Sequence, residues 1–264
     1  MRTARVRAAV AVVAVVVAAA GCGGGDDAAP ADGPGAAEAT TTVAAADPLA
    51  VGADYLAAMA ADGGPDTDAM AELTAPGSVA ERYARHLGAV ADVQRAAGEP
   101  AEQGTATVEG DGVLLRLEPA GGGDPVELTW ADFTLDEDGR LVDFTIDGET
   151  LDDRLVVDGA SDTVDGVTAT VTSAFELVSN DSPLVVVEID NGGAGRLRLV
   201  GADYEAPDGR VLTTSPSDRG LVVPRGATNR VILAFARAPF GGTVTLHAVV
   251  GGDAPLDIDL PLTP

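Results

Sequence analysis

Apolar positions along the chain change period once. Up to about residue 97 they recur at helical spacing, and from Thr105 onward they mostly alternate. Leu49, Tyr55, Leu56 and Met59 give a first helix one apolar side, up to about Ala61. Asp47 is a good N-cap for it and Pro48 a good first helical residue. Gly63-Gly64-Pro65 ends it, and a short helical turn fits Asp68 to Leu73. Ser78-Val79-Ala80-Glu81 has the form of a capping box. Val79, Tyr83, Leu87, Val90 and Val93 follow at spacings of four, four, three and three, which predicts one buried stripe on a long helix closed by Gly98.

Strands are predicted over Thr105–Val108, Val113–Glu118, Val126–Leu135 and Leu141–Ile146. Their turns are Gly110-Asp111-Gly112, Gly121-Gly122-Gly123-Asp124 and Asp136-Glu137-Asp138-Gly139, and Asp-Gly between alternating strands is a strong hairpin signal. Helices followed by an antiparallel meander give an α+β order, with the helices covering one face of a curved sheet. Leu151 to Gly159 reads as a short joint between closely placed halves. Beyond it, Val167–Val178, Leu184–Asp190, Arg196–Tyr204, Val211–Thr214, Leu221–Val223, Asn229–Ala236, Thr243–Val250 and Leu256–Leu260 alternate or run apolar between turn signals. About eight strands in about 105 residues predict a β-sandwich.

The N-terminus follows neither pattern. Arg2, Arg5 and Arg7 precede an unbroken Ala/Val run, Ala8 to Ala20, then Gly21 and Cys22. That is the layout of a secretory signal peptide, and the run is too short to span a bilayer. The arginines are not adjacent, which favours the general export route over the twin-arginine one. Ala19-Ala20-Gly21-Cys22 resembles the lipobox of bacterial lipoproteins, with Ala19 where Leu is usual. The resemblance implies a diacylglyceryl group on Cys22, cleavage before it, and a protein held on the outer face of the cell membrane. The alternative is an ordinary signal peptide that leaves a free thiol. Cys22 is the sole cysteine, so no disulfide forms within the chain. Gly23 to Ala46 reads as a flexible tether whose ends lie roughly 25–30 Å apart. Thr40, Thr41 and Thr42 are plain spacer or sugar acceptors.

Charge narrows the partners. The 264 residues carry a net charge of -26 with no lysine, and loss of the leader's three arginines takes it to -29. An acidic surface argues against nucleic acid and anionic lipid as ligands. All-arginine usage suggests a GC-rich genome, such as an actinobacterial one; an acidic halophile protein has the same look.

The order of residues 48 to about 155 resembles the NTF2-like (cystatin-like cone) fold, with Leu141-Val142-Asp143-Phe144-Thr145-Ile146-Asp147-Gly148 similar to its last strand in bacterial lipoproteins. In that fold the sheet wraps the helices and often leaves a pocket; the resemblance implies one near Tyr55, Met59, Tyr83, His86, Trp130, Phe133 and Phe144. Residues 160–264 resemble telokin-like, immunoglobulin-like domains of secreted bacterial lipoproteins. The resemblance rests on Leu184-Val185-Val186-Val187-Glu188-Ile189-Asp190-Asn191, on Pro207-Asp208-Gly209-Arg210, and on Val223-Pro224-Arg225-Gly226 before Val231-Ile232-Leu233-Ala234-Phe235. It implies adhesion or interaction modules without chemistry. The expected organisation is a signal peptide (1–21), lipidated Cys22 and tether (22–46), an NTF2-like α+β domain (47–155) and an immunoglobulin-like sandwich (156–264).

Candidate chemistry is sparse. A P-loop needs Lys, and Gly-x-Ser-x-Gly does not occur. His247 shares a strand face with Thr245 and Val249 and is expected to face solvent. His86 sits beside Leu87 at the edge of the helical stripe. It is expected to be a border histidine, with an acid/base role in a pocket as the sharper reading; no catalytic partner can be assigned to it. Asp136-Glu137-Asp138-Gly139 imitates part of a calcium loop, but Thr134 and Thr145 stand where that loop needs carboxylates. No cofactor or metal is expected. Tyr83, Trp130 and Phe144 are read first as core. The leading expectation is a non-enzymatic interaction or scaffold module of the cell envelope, with the membrane and an envelope protein as partners. The alternative is a carrier that holds a small apolar ligand or lipid.

Overall fold

Asp47 caps the first helix as its side chain accepts from the Leu49 N–H at 3.1 Å. The computed structural model describes residues 45–100, 103–118, 124–193, 195–214, 221–252 and 254–263. The leader, Cys22, Thr40–Thr42 and the Gly121–Gly123 turn lie outside the described residues. Three helices come first: α1 (Pro48–Met59), α2 (Thr67–Leu73) and α3 (Val79–Ala97). Ser78 caps α3 by accepting from the Glu81 N–H. The expected reciprocal bond shifts by one residue: the Glu81 carboxylate takes the Gly77 N–H, because the Ser78 N–H is already committed to the Ala75 carbonyl. Gly98 ends α3 with φ 73°, a left-handed conformation that glycine adopts without strain.

Four antiparallel strands follow in meander order, β1 (Gln103–Glu109), β2 (Gly112–Glu118), β3 (Val126–Leu135) and β4 (Leu141–Ile146). The helices cover one face of this sheet. Tyr55, Leu56, Met70, Tyr83, Trp130, Leu141 and Phe144 form their common core. Gly52, in the middle of α1, is there for clearance: a Cβ on it would lie 2.5 Å from the Phe133 ring. Asp136 closes the β3–β4 turn through its own carboxylate, which accepts from the Asp138 and Arg140 N–H groups.

The remaining strands are β5 (Leu155–Val157), β6 (Ser161–Val164), β7 (Val167–Leu177), β8 (Ser182–Asn191), β9 (Leu197–Glu205), β10 (Val211–Thr214), β11 (Leu221–Val223), β12 (Thr228–Ala234), β13 (Thr243–Val250) and β14 (Ala254–Pro261). They form two five-stranded antiparallel sheets. One runs β12-β8-β7-β5 with β6 also on β7, and the other runs β10-β9-β13-β14 with β11 also on β9. Val171, Val187 and Ile189 of the first sheet share an apolar core with Leu199, Leu246 and Ile258 of the second. The fold is therefore α+β with sandwich-like sheets. Asn191 is fully buried between loops, with its amide donating to the Gly195 and Val223 carbonyls.

The halves meet through β7. Val167, Ala169 and Val171 face the sandwich core, and unbroken alternation would send Ser173 and Phe175 there too. The pairing with β8 shifts register between Val171 and Ser173. That extra residue reverses the faces, as a bulge does. Ala174 now faces the sandwich, while Phe175 joins the helical core. The expected joint is also part of this contact: Leu155–Val157 pairs with β7, and Leu155 packs in the helical core while Val156 packs in the sandwich. The expected boundary at 155/156 thus falls inside a strand. Ala44–Pro264 form a single compact unit.

Candidate functional site

The C-terminal half of α3 does not rest on solid core. Val79 and Tyr83 are buried as the stripe predicts, but Leu87, Val90 and Val93 are only half-buried. Leu87 and Val90 instead line a cavity of 470 Å³, closed on one side by Leu115, Leu117 and Leu128 of the meander. The β7–β8 hairpin supplies a third wall, with Phe175, Leu177, Val178 and Leu184. The α1–α2 turn, Gly63-Gly64-Pro65, adds the remaining side. Exposed Val126, Arg95, Glu99 and Asn180 border it where it meets solvent.

Four of the seven expected pocket residues line this cavity: Met59, Tyr83, His86 and Trp130. Tyr55, Phe133 and Phe144 lie behind it in packed core. Phe144 stands 5.7 Å from Tyr55 and 6.5 Å from Phe133, ring centre to ring centre, and the Tyr55 hydroxyl donates to the Ala80 carbonyl at 2.9 Å. Tyr83 is the hub of the aromatic group. Its ring meets Trp130, Phe144 and Phe175 edge-on at 5.5, 5.8 and 5.0 Å, a favoured geometry for aromatic pairs. Burial pushes its hydroxyl well above the ordinary tyrosine range.

His86 departs from the sequence expectation. It is no border residue: only 1 % of it is exposed. The covering side chains come from β7. Ser173 Oγ lies 3.0 Å from His86 Nδ1, and the Phe175 ring lies 5.7 Å from the imidazole. Burial pushes the imidazole down to about 3, so it is neutral at physiological pH. Among the described residues no carboxylate hydrogen-bonds to it, and Ser173 is its sole hydrogen-bond partner.

His247 is half-buried on the outer face of β13. Its Nδ1 lies 2.8 Å from Asp257 and its Nε2 3.1 Å from Asp203. Hydrogen bonding to Asp257, then to Asp203, raises its pKa above the ordinary histidine value. Among the described residues no group of His, Cys, Asp and Glu is arranged to hold a metal ion, and no helix is long and apolar enough to cross a membrane.

Sequence reasoning missed the sandwich wall of the cavity. Phe175, Leu177 and Leu184 read as strand residues of a separate half, and the register shift in β7 that turns Phe175 and Leu177 toward α3 leaves no mark on composition.

No family model matches the chain, and no curated protein matches it. Solved structures do, at low similarity. A structural genomics target matches with 13% identity and a TM-score of 0.30, over 39% of this chain and 89% of its own. A Bordetella pertussis protein given the provisional name ApaA matches with 15% identity and a TM-score of 0.29, over 40% of this chain and 92% of its own.

Proposed function

We propose that the chain is a lipid-anchored extracytoplasmic carrier whose cavity takes a small apolar ligand. The observation that carries this reading is the 470 Å³ cavity lined mainly by aliphatic and aromatic side chains. Its size falls in the range of small-molecule sites, roughly 300–1,000 Å³. The anchor rests on the leader and on Ala19-Ala20-Gly21-Cys22. Three helices against a four-stranded antiparallel meander support an NTF2-like reading of the first half. Two facing antiparallel sheets support an immunoglobulin-like reading of the second.

A scaffold role would call for a contiguous exposed apolar patch on the sandwich. Among the described residues the exposed large apolar side chains are Val108, Val126, Val200 and Val211, single valines on four different strands. The cavity is the stronger feature. An enzyme using His86 has little support, because the imidazole is buried, neutral and, among the described residues, paired with Ser173 alone.

Titration with the neutral apolar dye N-phenyl-1-naphthylamine tests the carrier reading. Saturable binding with a fluorescence rise is expected, and Val90→Arg, at a half-buried position on the wall, abolishes it. Absence of saturable binding by the folded protein would contradict a carrier. Export and membrane anchoring unaffected by Cys22→Ala would contradict the lipid anchor.

A further inference from the structure

The cavity follows α3 lengthwise. Tyr83, Leu87, Val90, Gln94 and Arg95 recur at helical spacing on one face of that helix, and all of them line it. Between Tyr83 and Arg95 the helix rises about 18 Å, at 1.5 Å per residue. Spread over that length, 470 Å³ gives a mean cross-section of about 26 Å². One hydrocarbon chain occupies roughly 20 Å² when its neighbours stand 4–4.5 Å away. The space therefore fits one extended chain and not two side by side.

Exposure rises from one end of this space to the other. At the inner end Leu115, Ile146 and Phe175 are at most 3 % exposed. Leu87, Val90, Leu117 and Leu128 along the middle are half-buried or nearly so, and Val126, Arg95, Glu99 and Asn180 at the mouth are exposed. A charged head driven to the inner end would lose its hydration, so it stays at the mouth. The cations there are already engaged: Arg95 by Asp92 at 2.7 Å, and Arg116, beside Leu117 on β2, by Glu118 and Glu127 at 3.0 and 3.1 Å. Glu99 pairs with no cation among the described residues, and the whole chain carries a charge of -26. An anionic head meets a repulsive field at this mouth, and a cationic head an attractive one.

We propose, building on the carrier reading, that the ligand is an amphiphile with one hydrocarbon chain and a cationic head, a long-chain amine or quaternary ammonium, held tail-first. The chain lies along Leu87, Val90, Leu117 and Leu128 with its tip toward Phe175. The head stays at the mouth beside Glu99. Burial of the chain supplies the affinity, and the charge at the mouth selects the head.

The test displaces bound N-phenyl-1-naphthylamine from the full-length protein with three probes of equal chain length, decyltrimethylammonium, decan-1-ol and decyl sulfate, each below its micelle concentration. The cation displaces the dye up to about fivefold better than the alcohol, the range that one exposed ion pair supplies, and the sulfate displaces it worst. In Glu99→Gln the cation's lead over the alcohol shrinks. The sole tryptophan, Trp130, reads the orientation without a variant, because it belongs to the inner end. (10-Bromodecyl)trimethylammonium, with the heavy atom at the tip of its tail, quenches the Trp130 fluorescence. Decyl(2-bromoethyl)dimethylammonium, with the same atom in its head, does not. Dye binding with equal displacement by the three probes overturns the proposal and leaves the carrier standing. Strongest displacement by decyl sulfate overturns it in favour of an anionic ligand. Quenching by the head bromine and not by the tail bromine overturns the tail-first orientation. A wild type that takes up no dye overturns the carrier reading and this proposal with it.

Discussion

His86 and Ser173 stand 87 residues apart in sequence and 3.0 Å apart in space. Their hydrogen bond crosses from α3 to β7, joining the helical half to the sandwich, and both side chains are only 1 % exposed. Ser173→Ala leaves the imidazole Nδ1 unpaired in that position. The expected loss is about 1–3 kcal/mol, the penalty for a buried polar group without its partner. For a folded unit of this size that is about 3–9 °C in Tm, readable by calorimetry. Ser173→Thr is expected to keep part of the bond and lose less.

Acid is expected to weaken the protein through the same histidine. Burial lowers its folded value to about 3 from the ordinary 6.5. The unfolded chain therefore binds a proton that the folded chain refuses throughout that window. Stability from this group is fully present above about 6.5 and falls as the pH drops toward 3. Denaturant midpoints measured from pH 7 to pH 4 should fall steeply in the wild type and less in His86→Phe.

His247 has the opposite sign. Asp257, then Asp203, raise its pKa in the folded state. Its contribution is present below the ordinary histidine value and is lost as pH rises through the raised one. His247→Gln should therefore cost stability at pH 5.5 and little at pH 9. Equal losses at both would show that the imidazole acts by packing and not by charge.

Local signals made much of the fold legible. Asp47-Pro48, Ser78 and Gly98 mark helix ends because capping is decided within a few residues, and Asp-Gly turns mark hairpins for the same reason. The burial of His86 was not legible, since the wall that covers it is Ser173 and Phe175. Those two reach α3 only because one extra residue in β7 reverses the strand's faces. An alternation pattern read along the chain assigns Phe175 to the sandwich. The cavity was half legible: Met59, Tyr83, His86 and Trp130 come from the half where a pocket was expected, while the third wall is non-local.

Gly52 carries a stability prediction of its own. Glycine inside a helix is ordinarily worse than alanine, yet here Gly52→Ala should destabilise by about 1–3 kcal/mol, because the new methyl would overlap the Phe133 ring. Phe133→Leu in the same chain should recover part of the loss. An additive double variant would contradict the proposed clash.

Phe175 tests whether the halves unfold together. It is 3 % exposed and packs edge-on against Tyr83 at 5.0 Å. Phe175→Ala should cost about 3–5 kcal/mol and separate the unfolding transitions of the helical half and the sandwich, which calorimetry would resolve as two peaks.

The most direct measurement is native mass spectrometry of the protein released intact from its own membrane, without delipidation. A discrete extra mass beyond the lipid on Cys22 is expected, lost in Val90→Arg while the protein stays folded. A lipidated protein of bare mass in wild type and variant alike would contradict it.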